Sequence, residues 1–435
     1  SSITLNGSAV ALGASTSLSS LDWQAVVVSD GSTITTMVAG RGYFVNNSSA
    51  AGIVKLPASA SRGDTLAIKD YAGNFGTNSL TIQRNGHNIQ GAGNNSELST
   101  NRASVFMVYI DSTKGWLFTN ESNVSDLQSK EYVAATGGTV ATSGNFKIHT
   151  FTGDGNFVVS DAGNSAGSNK VSYVVVAGGG GGGVSGAGAG GFREGRAPSF
   201  DSYTASPLVA PDGLPVSATT YPITIGGGGT GIQPRSTHIP TGSSTGGNGS
   251  VFSTITSTGG GGGANDNPGG GGQPGGPNGP AGGHGGDGGS GGGASNNTPN
   301  AFGSGNTPPV SPPQGYPGGP APGGAAAGTH GGGGASESGD QSGGGAGVPT
   351  QITGSAVTYA GGGGGGQAPH VPHGAGTAGS GGGGAGGSHP NGTGGNGTAN
   401  KGGGAGGGSN APGGNDGGGG SGGSGVVIIR YKFQN

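Results

Sequence analysis

The stretch Tyr173-Val174-Val175-Val176-Ala177-Gly178-Gly179-Gly180-Gly181-Gly182-Gly183 joins a strand-forming run directly to six consecutive glycines. The same kind of junction recurs at residues 221–229, 252–263 and 357–366. Glycine loses more backbone entropy on ordering than any other residue, so a flexible spacer has no reason to form strands repeatedly between its glycine runs. The recurrence therefore predicts folded glycine tracts that are anchored by strands.

Glycine content divides the chain at this point. Of the 114 glycines in 435 residues, 20 precede Gly178 and 94 follow from there to the end. Only 8% of the residues are charged and the formal net charge is -3, which argues against nucleic-acid partners and anionic membrane surfaces. No apolar run approaches the roughly 20 residues that span a bilayer, so membrane insertion is not expected. Because the chain has no cysteine, we expect assembly rather than disulfides to stabilise it.

The chain starts at Ser1-Ser2-Ile3, without a methionine or a signal peptide. We expect that Ser1 is either a processed start or the edge of the ordered region. Residues 1–128 are predicted to form an all-β module, because short β-branched and aromatic runs alternate with turn signals such as Asn85-Gly86. The predicted strands are residues 25–28, 43–45, 53–56, 65–69, 80–83, 105–110 and 116–118.

Residues 129–177 continue as a β connector that leads into the glycine-rich part. Within it, residues 146–151 and 156–160 flank Gly153-Asp154-Gly155, which is predicted to be a hairpin-like turn. No segment of the chain shows a convincing helical period, so we predict essentially no α-helix.

Residues 178–435 are predicted to be a glycine-rich domain of strands and packed polyglycine II helices. Between Gly276 and Gly291 glycine occupies every third position, and polyproline II geometry has three residues per turn, so the glycines share one edge. If such helices pack side by side, glycine lets their backbones hydrogen-bond to one another, and the bundle replaces a hydrophobic core.

The strand-like terminus at 426–433 is expected to close a sheet begun near residues 173–176, since an unpaired strand of this kind would aggregate. A long collagen triple helix is excluded because the glycine period breaks at once, for example between Gly186 and Arg193. Disorder of the glycine-rich part is the remaining alternative.

Two sets of motifs carry a family resemblance. One set comprises residues 132–142, 146–151, 171–177 with the glycines that follow, 190–193, 221–226, 250–263 and 425–434. Through these motifs, residues 130–435 resemble the glycine-rich domain of tail-fibre and adhesin proteins of tailed bacteriophages, especially marine and cyanobacterial ones. The other set, within residues 40–116, is similar to a β module of the same class of phage structural proteins.

The resemblance implies a virion tail fibre or fibre tip whose outer face is turned toward the host. It also implies an N-terminal module for attachment or trimerisation, a homotrimer, and contacts with other fibre or baseplate proteins. Related phage adhesins carry host-recognition loops on polyglycine II bundles, so the expected partner is a host cell-surface glycan or outer-membrane protein.

Recognition is predicted in the loops that interrupt the glycine tracts, because loops on a rigid scaffold tolerate change. The candidate receptor-binding residues are Phe192, Arg193, Tyr203, His238, Phe302, Tyr316, His370 and His373. The alternative for each aromatic residue is that it anchors its own loop to the bundle. Arg193-Glu194 with Arg196 is interpreted as a solvated charge cluster, or alternatively as a contact to an acidic glycan.

We predict no catalytic residue, cofactor or metal site. Proline between His370 and His373 prevents the helical placement that would bring the two imidazoles together on one metal ion. Lys401 is followed by glycine where a phosphate-binding loop needs Ser or Thr. The protein is therefore predicted to be a non-enzymatic receptor-binding fibre protein. The alternatives are a purely structural virion fibre or decoration protein and an ice-binding protein. A glycan-cleaving activity is the least favoured alternative, because the sequence shows no recognisable pair of carboxylates for such a reaction.

Overall fold

The computed structural model of the chain describes residues 21–120, 130–234, 243–265, 284–295, 301–320, 329–369, 374–409 and 417–435, and the backbone of Ile3–Leu5 and Ser8–Val10. The chain divides into two compact units, Ser1–Glu131 and Tyr132–Asn435. The described residues form strands and no α-helix, which confirms the all-β prediction for this part of the chain. Within the same ranges, no helix has the length and apolarity that crossing a membrane requires.

The described residues of the first unit form twelve strands, in two main sheets and one small hairpin. They are β1 (Ile3–Leu5), β2 (Ser8–Val10), β3 (Asp22–Trp23), β4 (Val27–Val28), β5 (Ile34–Thr36), β6 (Arg41–Asn46), β7 (Gly52–Lys55), β8 (Thr65–Asp70), β9 (Leu80–Gln83), β10 (Ser96–Leu98), β11 (Ser104–Asp111) and β12 (Gly115–Phe118). One sheet has the order β12-β11-β8-β6-β3, with β4 also paired to β6, and the other has the order β10-β9-β7-β5.

The two main sheets of the first unit share one hydrophobic core. Leu66 and Ile68 on β8 enter it from one sheet, and Val54, Leu80 and Ile82 enter it from the other. The alternation of buried and partly exposed residues along β7 and β9 has the two-residue period of a half-buried strand. The sequence predicts these strands from their short runs of β-branched and aromatic residues between turn signals.

The part of the second unit that the structure describes has fourteen strands. They are β13 (Val133–Thr136), β14 (Thr139–Ser143), β15 (Phe146–Phe151), β16 (Gly155–Ala162), β17 (Lys170–Val176), β18 (Phe192–Gly195), β19 (Val209–Ala210), β20 (Leu214–Pro215), β21 (Thr220–Thr224), β22 (Ser250–Phe252), β23 (Ile255–Ser257), β24 (Val348–Thr350), β25 (Val357–Tyr359) and β26 (Val426–Lys432). One sheet has the order β13-β16-β21-β22-β23. A second has the order β14-β15-β26-β17-β18-β19, with β20 also paired to β17, and β24 and β25 form a separate hairpin.

The C-terminal strand β26 lies between β15 and β17, antiparallel to both. This pairing confirms that the terminus closes a sheet begun at residues 173–176. Hydrophobic clusters cover both faces of this sheet: Val174 and Ile428 face one cluster, and Val175 and Ile429 face the other. Continuous apolar runs are typical of strands that are buried on both sides.

The hairpin predicted around Gly153-Asp154-Gly155 is wrong. β15 pairs with β14 and β26, whereas β16 pairs with β13 and β21 in a different sheet. Both edges of each strand are thus occupied. The turn instead bonds to the residue that follows β21, since the amide of Ile225 donates to the Asp154 carboxylate at 2.8 Å.

The first glycine tract, residues 178–183, makes backbone hydrogen bonds with a period of three residues. Each amide donates to the same neighbouring segment as the amide three positions away, at N–O distances of 2.9–3.1 Å. The carbonyl groups accept in the same way from three other segments at 2.8–3.1 Å. The tract therefore has six neighbours, which are the antiparallel residues 185–188, 245–248 and 420–423 and the parallel residues 229–232, 260–263 and 405–408.

This packing leaves no room for side chains at the centre. Residues 171–192 are all buried. Their backbone amides and carbonyls therefore form hydrogen bonds with neighbouring segments instead of with water. A Cβ atom on Gly181 would collide with the backbone of Thr230, and one on Gly179 would collide with the backbone of Gly403. In the described part of the unit, the hydrophobic clusters and the backbone-bonded tracts together form the interior.

Candidate functional site

The glycine tracts of the second unit have two distinct ends. Tracts begin directly beyond β17, β21, β23 and β25, and the last tract, residues 417–425, runs into β26. We call this the sheet end, and we call the opposite end of the same tracts the far end. Hydrogen bonds connect the described residues of the far end: Val184 to Ala264 and Gly366, Ser185 to Ala294, Gly408 to Gly183, and Ser409 to Gly392.

Most long connections between tracts leave from the far end. The described residues that bound them are Pro234 and Ser243, Asn265 and His284, Ser295 and Ala301, Pro320 and Thr329, Pro369 and Gly374, and Ser409 and Gly417. Residues 235–242, 266–283, 296–300, 321–328, 370–373 and 410–416 between them lie outside the described residues. Six connections therefore leave the bundle at one end, opposite the sheets.

Among the far-end connections, the one at residues 388–391 is described completely, and it is a tight turn. The amide of Gly392 donates to the carbonyl of Ser388 at 2.8 Å, and the amide of His389 donates to the side chain of Gln367 at 3.0 Å. The four turn residues 388–391 are all exposed. A side chain on the neighbouring tract thus fixes a polar turn that remains open to solvent.

Polar side chains just beneath the far end are buried and bond to carbonyl groups of the tracts. Ser185 donates to Ala294 at 2.6 Å, the His330 ring bonds to the same carbonyl at 3.1 Å, and Thr329 donates to Gly366. All three residues are almost completely inaccessible. These residues therefore hold the tract ends together.

The predicted receptor-binding residues Phe192 and Tyr203 lie inside the protein at the sheet end. Both side chains belong to the hydrophobic cluster of β17 and β26, with exposures of 0% and 8%. The Tyr203 hydroxyl donates to Glu194 at 3.0 Å. Burial, together with the adjacent Glu194 carboxylate, raises the pKa of Tyr203 far above its ordinary value, so the hydroxyl stays a donor. This placement fits the alternative that these aromatic residues anchor their own loop.

The interpretation of Arg193-Glu194 with Arg196 as a solvated cluster is wrong for Glu194. Its carboxylate is 2% exposed and accepts bonds from Tyr203, from the Ser206 amide at 2.8 Å and from the Thr350 hydroxyl at 2.6 Å. Arg193 remains partly exposed on β18. The tertiary contact with Thr350, 156 positions further along the chain, takes the carboxylate out of solvent.

A second buried charge lies beside Glu194, and the sequence reasoning did not identify it. Asp201 and Arg430 form an ion pair with exposures of 5% and 6%, and Ser172 also donates to Asp201 at 3.1 Å. The Arg430 guanidinium lies 4.1 Å from the centre of the Phe146 ring. This cluster ties the closing strand to the loop after β18, so its role is to hold the sheet end together.

Phe302 and Tyr316 lie on adjacent antiparallel tracts, and both are partly exposed. Phe302 follows Ala301, which bonds to Gly285 at the far end, whereas Tyr316 lies toward the sheet end beside Gly305. His238, His370 and His373 lie outside the described residues, in connections that leave the far end. The described structure therefore does not bring the eight predicted residues into one cluster.

The comparison with protein families gives one result. A family model described as a glycine-rich domain matches residues 152–432. The match covers more than half of the chain, so the chain belongs to this glycine-rich domain family. No curated protein matches the sequence.

Proposed function

We propose that this protein is a tail-fibre or fibre-tip protein of a tailed bacteriophage that binds the host cell surface. The receptor class is a cell-surface glycan or an outer-membrane protein. Recognition occurs at the far end of the second unit, through connections that are carried by a bundle of polyglycine II helices.

Two observations support polyglycine II geometry in the tracts. The first is the three-residue period with which residues 178–183 change hydrogen-bonding partner, since the polyproline II conformation has three residues per turn. The second is the burial pattern of residues 226–232, a tract on the outside of the bundle. Gly226, Gly229 and Ile232 are buried, whereas Gly227 and Gly228 are exposed. An outer helix of three residues per turn buries every third residue.

The binding proposal rests on the difference between the two ends of the second unit. Strands from both ends of the unit's sequence, β13 and β26, meet in the sheets at one end. Six connections leave the other end, and they include the histidine-containing segments 235–242 and 370–373. A rigid body with its first and last strands at one end and its long connections at the other suits attachment to a particle and display toward a cell.

The chemistry of the far end suits a glycan or a protein surface. Phe302 is a partly exposed aromatic residue that can stack on a sugar ring, and the exposed turn at 388–391 supplies a serine, a histidine and an asparagine as hydrogen-bonding groups. Single contacts of this kind are weak. Several copies on one particle raise the overall affinity by avidity without any new contact.

The proposal is tested by exchanging connections at one end and then at the other. Far-end variants replace residues 235–242, 370–373 and 388–391 by Gly/Ser sequences of equal length, and the matched control replaces the exposed sheet-end turn at 353–356. Labelled full-length protein is then incubated with a panel of bacterial cells. We expect the far-end variants to lose binding while their thermal unfolding is unchanged, and the control to bind like the parent protein.

Two outcomes contradict the proposal. If every far-end variant binds cells like the parent protein, the glycine-rich unit is a spacer, as in the alternative of a purely structural fibre or decoration protein. If the parent protein binds no cell and shows thermal hysteresis in ice, the ice-binding alternative replaces it.

A further inference from the structure

Asparagine followed by glycine is the pair of residues most prone to spontaneous loss of the side-chain amide. In this reaction the backbone nitrogen of the glycine attacks the side-chain carbonyl carbon of the asparagine. It therefore requires a mobile asparagine side chain and a glycine amide that holds no hydrogen bond. The chain contains six such pairs, and four of them lie within the described residues: Asn85-Gly86, Asn248-Gly249, Asn391-Gly392 and Asn396-Gly397.

Hydrogen bonds hold three of these four pairs. The amide of Gly392 donates to the carbonyl of Ser388 at 2.8 Å, and the amide of Gly397 donates to a neighbouring tract at 2.9 Å. At Asn85 the bond holds the side chain instead, because its Nδ2 donates to the carbonyl of Leu56 at 2.8 Å. A group held in this way is free to react only while its bond is open.

The fourth pair, Asn248-Gly249, has neither kind of bond. Among the residues that the structure describes, none accepts a hydrogen bond from the Gly249 amide and none bonds to the Asn248 side chain. Asn248 is exposed, but exposure does not distinguish this pair, since Asn391 and Asn396 are exposed as well. The free glycine amide is what distinguishes it.

We propose that Asn248 is a site of spontaneous deamidation in the folded protein. A bond forms between the Gly249 nitrogen and Cγ of Asn248, the bond from Cγ to Nδ2 breaks, and ammonia leaves with the proton of the glycine amide. Water then opens the resulting cyclic imide at either of its two carbonyl groups. Opening at Cγ gives aspartate, whereas opening at the main-chain carbonyl gives isoaspartate, whose backbone is one methylene group longer. This inference stands independently of the proposed receptor binding.

The position of Asn248 gives the modification a structural consequence. Asn248 lies two residues before β22, at the sheet end of its tract. Its amide donates to the Gly227 carbonyl at 2.9 Å, and its carbonyl accepts from the amide of Gly178, the first glycine of the tract 178–183, at 3.0 Å. In isoaspartate that carbonyl becomes a free carboxylate and the main chain follows the former side chain. Isoaspartate therefore disturbs the bonds between tracts, whereas aspartate adds a charge to an exposed side chain and leaves the backbone unchanged.

The test is peptide mapping by mass spectrometry of the full-length protein after storage at neutral pH, folded in one sample and denatured in guanidinium chloride in the other. The four pairs should react at similar rates in the denatured chain, because each has glycine as its second residue. In the folded protein we expect Asn248 to react fastest, and Asn391 and Asn396 to react at least about tenfold more slowly than in the denatured chain. A folded protein in which Asn248 keeps its amide overturns the proposal, and so does one in which another of the four pairs reacts faster.

A second measurement tests the effect on the tracts. Storage should produce a fraction of the parent protein that unfolds at a lower concentration of guanidinium chloride, and Asn248→Gln should not produce this fraction. Asn248→Asp, measured before storage, has the new charge without the longer backbone and should unfold like the parent. If stored Asn248→Gln loses as much stability as the stored parent, the modification at Asn248 is not the cause and the proposed effect is overturned.

Discussion

Arg430 on the closing strand and Asp201 in the loop after β18 form an ion pair that is almost entirely removed from water. Nε of Arg430 lies 3.0 Å from Oδ2 and 3.2 Å from Oδ1 of the Asp201 carboxylate. The pair joins residues 229 positions apart, and the Arg430 guanidinium also donates to the Ile352 carbonyl at 3.4 Å. Because one partner lies on the last strand of the chain, this contact closes a loop that contains most of the glycine-rich sequence.

Arg430→Met should destabilise the second unit strongly. The substitution leaves the Asp201 carboxylate buried without its counter-ion, which typically costs about 3–5 kcal/mol. Lys170→Met is the matched control, because it breaks the exposed pair of Lys170 and Asp212 and should cost less than about 1 kcal/mol. Urea denaturation of both variants measures the difference. Equal losses of unfolding free energy would show that burial of the Arg430 pair has no energetic consequence.

Gly181→Ala should destabilise the second unit because the added methyl group collides with the backbone of Thr230. Overpacking of a rigid interior typically costs about 1–3 kcal/mol. Gly227→Ala is the control, since the nearest atom to its Cβ is the Asn248 amide nitrogen at 3.8 Å, and its effect should lie within about 0.5 kcal/mol. Thermal and urea unfolding check the pair. If both alanines are tolerated, the tracts do not pack as closely as described.

The stability of the second unit should fall as the pH drops below about 6.5, the ordinary pKa of histidine. Burial lowers the pKa of His149, although its Nδ1 bond to the Gly137 carbonyl at 2.7 Å acts in the opposite direction. The unfolded chain therefore binds a proton at His149 before the folded protein does, so this contribution is complete above pH 6.5 and is lost progressively below it. Denaturation of the parent protein and of His149→Gln at several pH values checks this. A pH dependence that is unchanged in the variant would assign the effect to other groups.

The first unit should depend on Asp70, whose carboxylate holds a loop. Burial raises the pKa of Asp70, but backbone N–H groups of Arg102, Phe75 and Gly73 donate to it and hold the pKa below its ordinary value. Stability from these bonds is present above about pH 4 and is lost as the pH falls below it. Asp70→Asn should cost about 1.5–3 kcal/mol at neutral pH, whereas Asp22→Asn, which is exposed, should cost little. Urea denaturation at pH 7 and pH 3 measures both, and an Asp70→Asn variant as stable as the parent would contradict the assignment.

The sequence predicts strands well where β-branched and aromatic residues occur within a run of four or more residues. Residues 80–83 and 146–151 have the predicted limits, and residues 65–69 differ by one residue from β8. The strands β3 and β5 were not predicted, because two or three residues are too few to show a period. Their positions depend on pairing with β6 and β7, which lie further along the chain.

The neighbours of each glycine tract could not be predicted from the sequence. Glycine has no side chain to distinguish one tract from another, so nothing in residues 178–183 specifies residues 405–408 as a neighbour. The same limit applies to the buried charges. Glu194 lies between two arginines in a sequence that suggests solvent exposure, and only its contacts with Tyr203 and Thr350 reveal the opposite.

Amide hydrogen exchange of residues 178–183 tests most directly whether backbone hydrogen bonds between glycine tracts build the interior. We expect these amides to exchange as slowly as those of the buried strands β17 and β26, because all of them open only when the unit unfolds. Exposed glycines such as Gly153, in the turn between β15 and β16, should exchange rapidly in the same sample. If the amides of residues 178–183 exchanged at the rate of Gly153, hydrogen bonds between glycine tracts would not form the interior. The far end would then have no rigid support for the proposed binding.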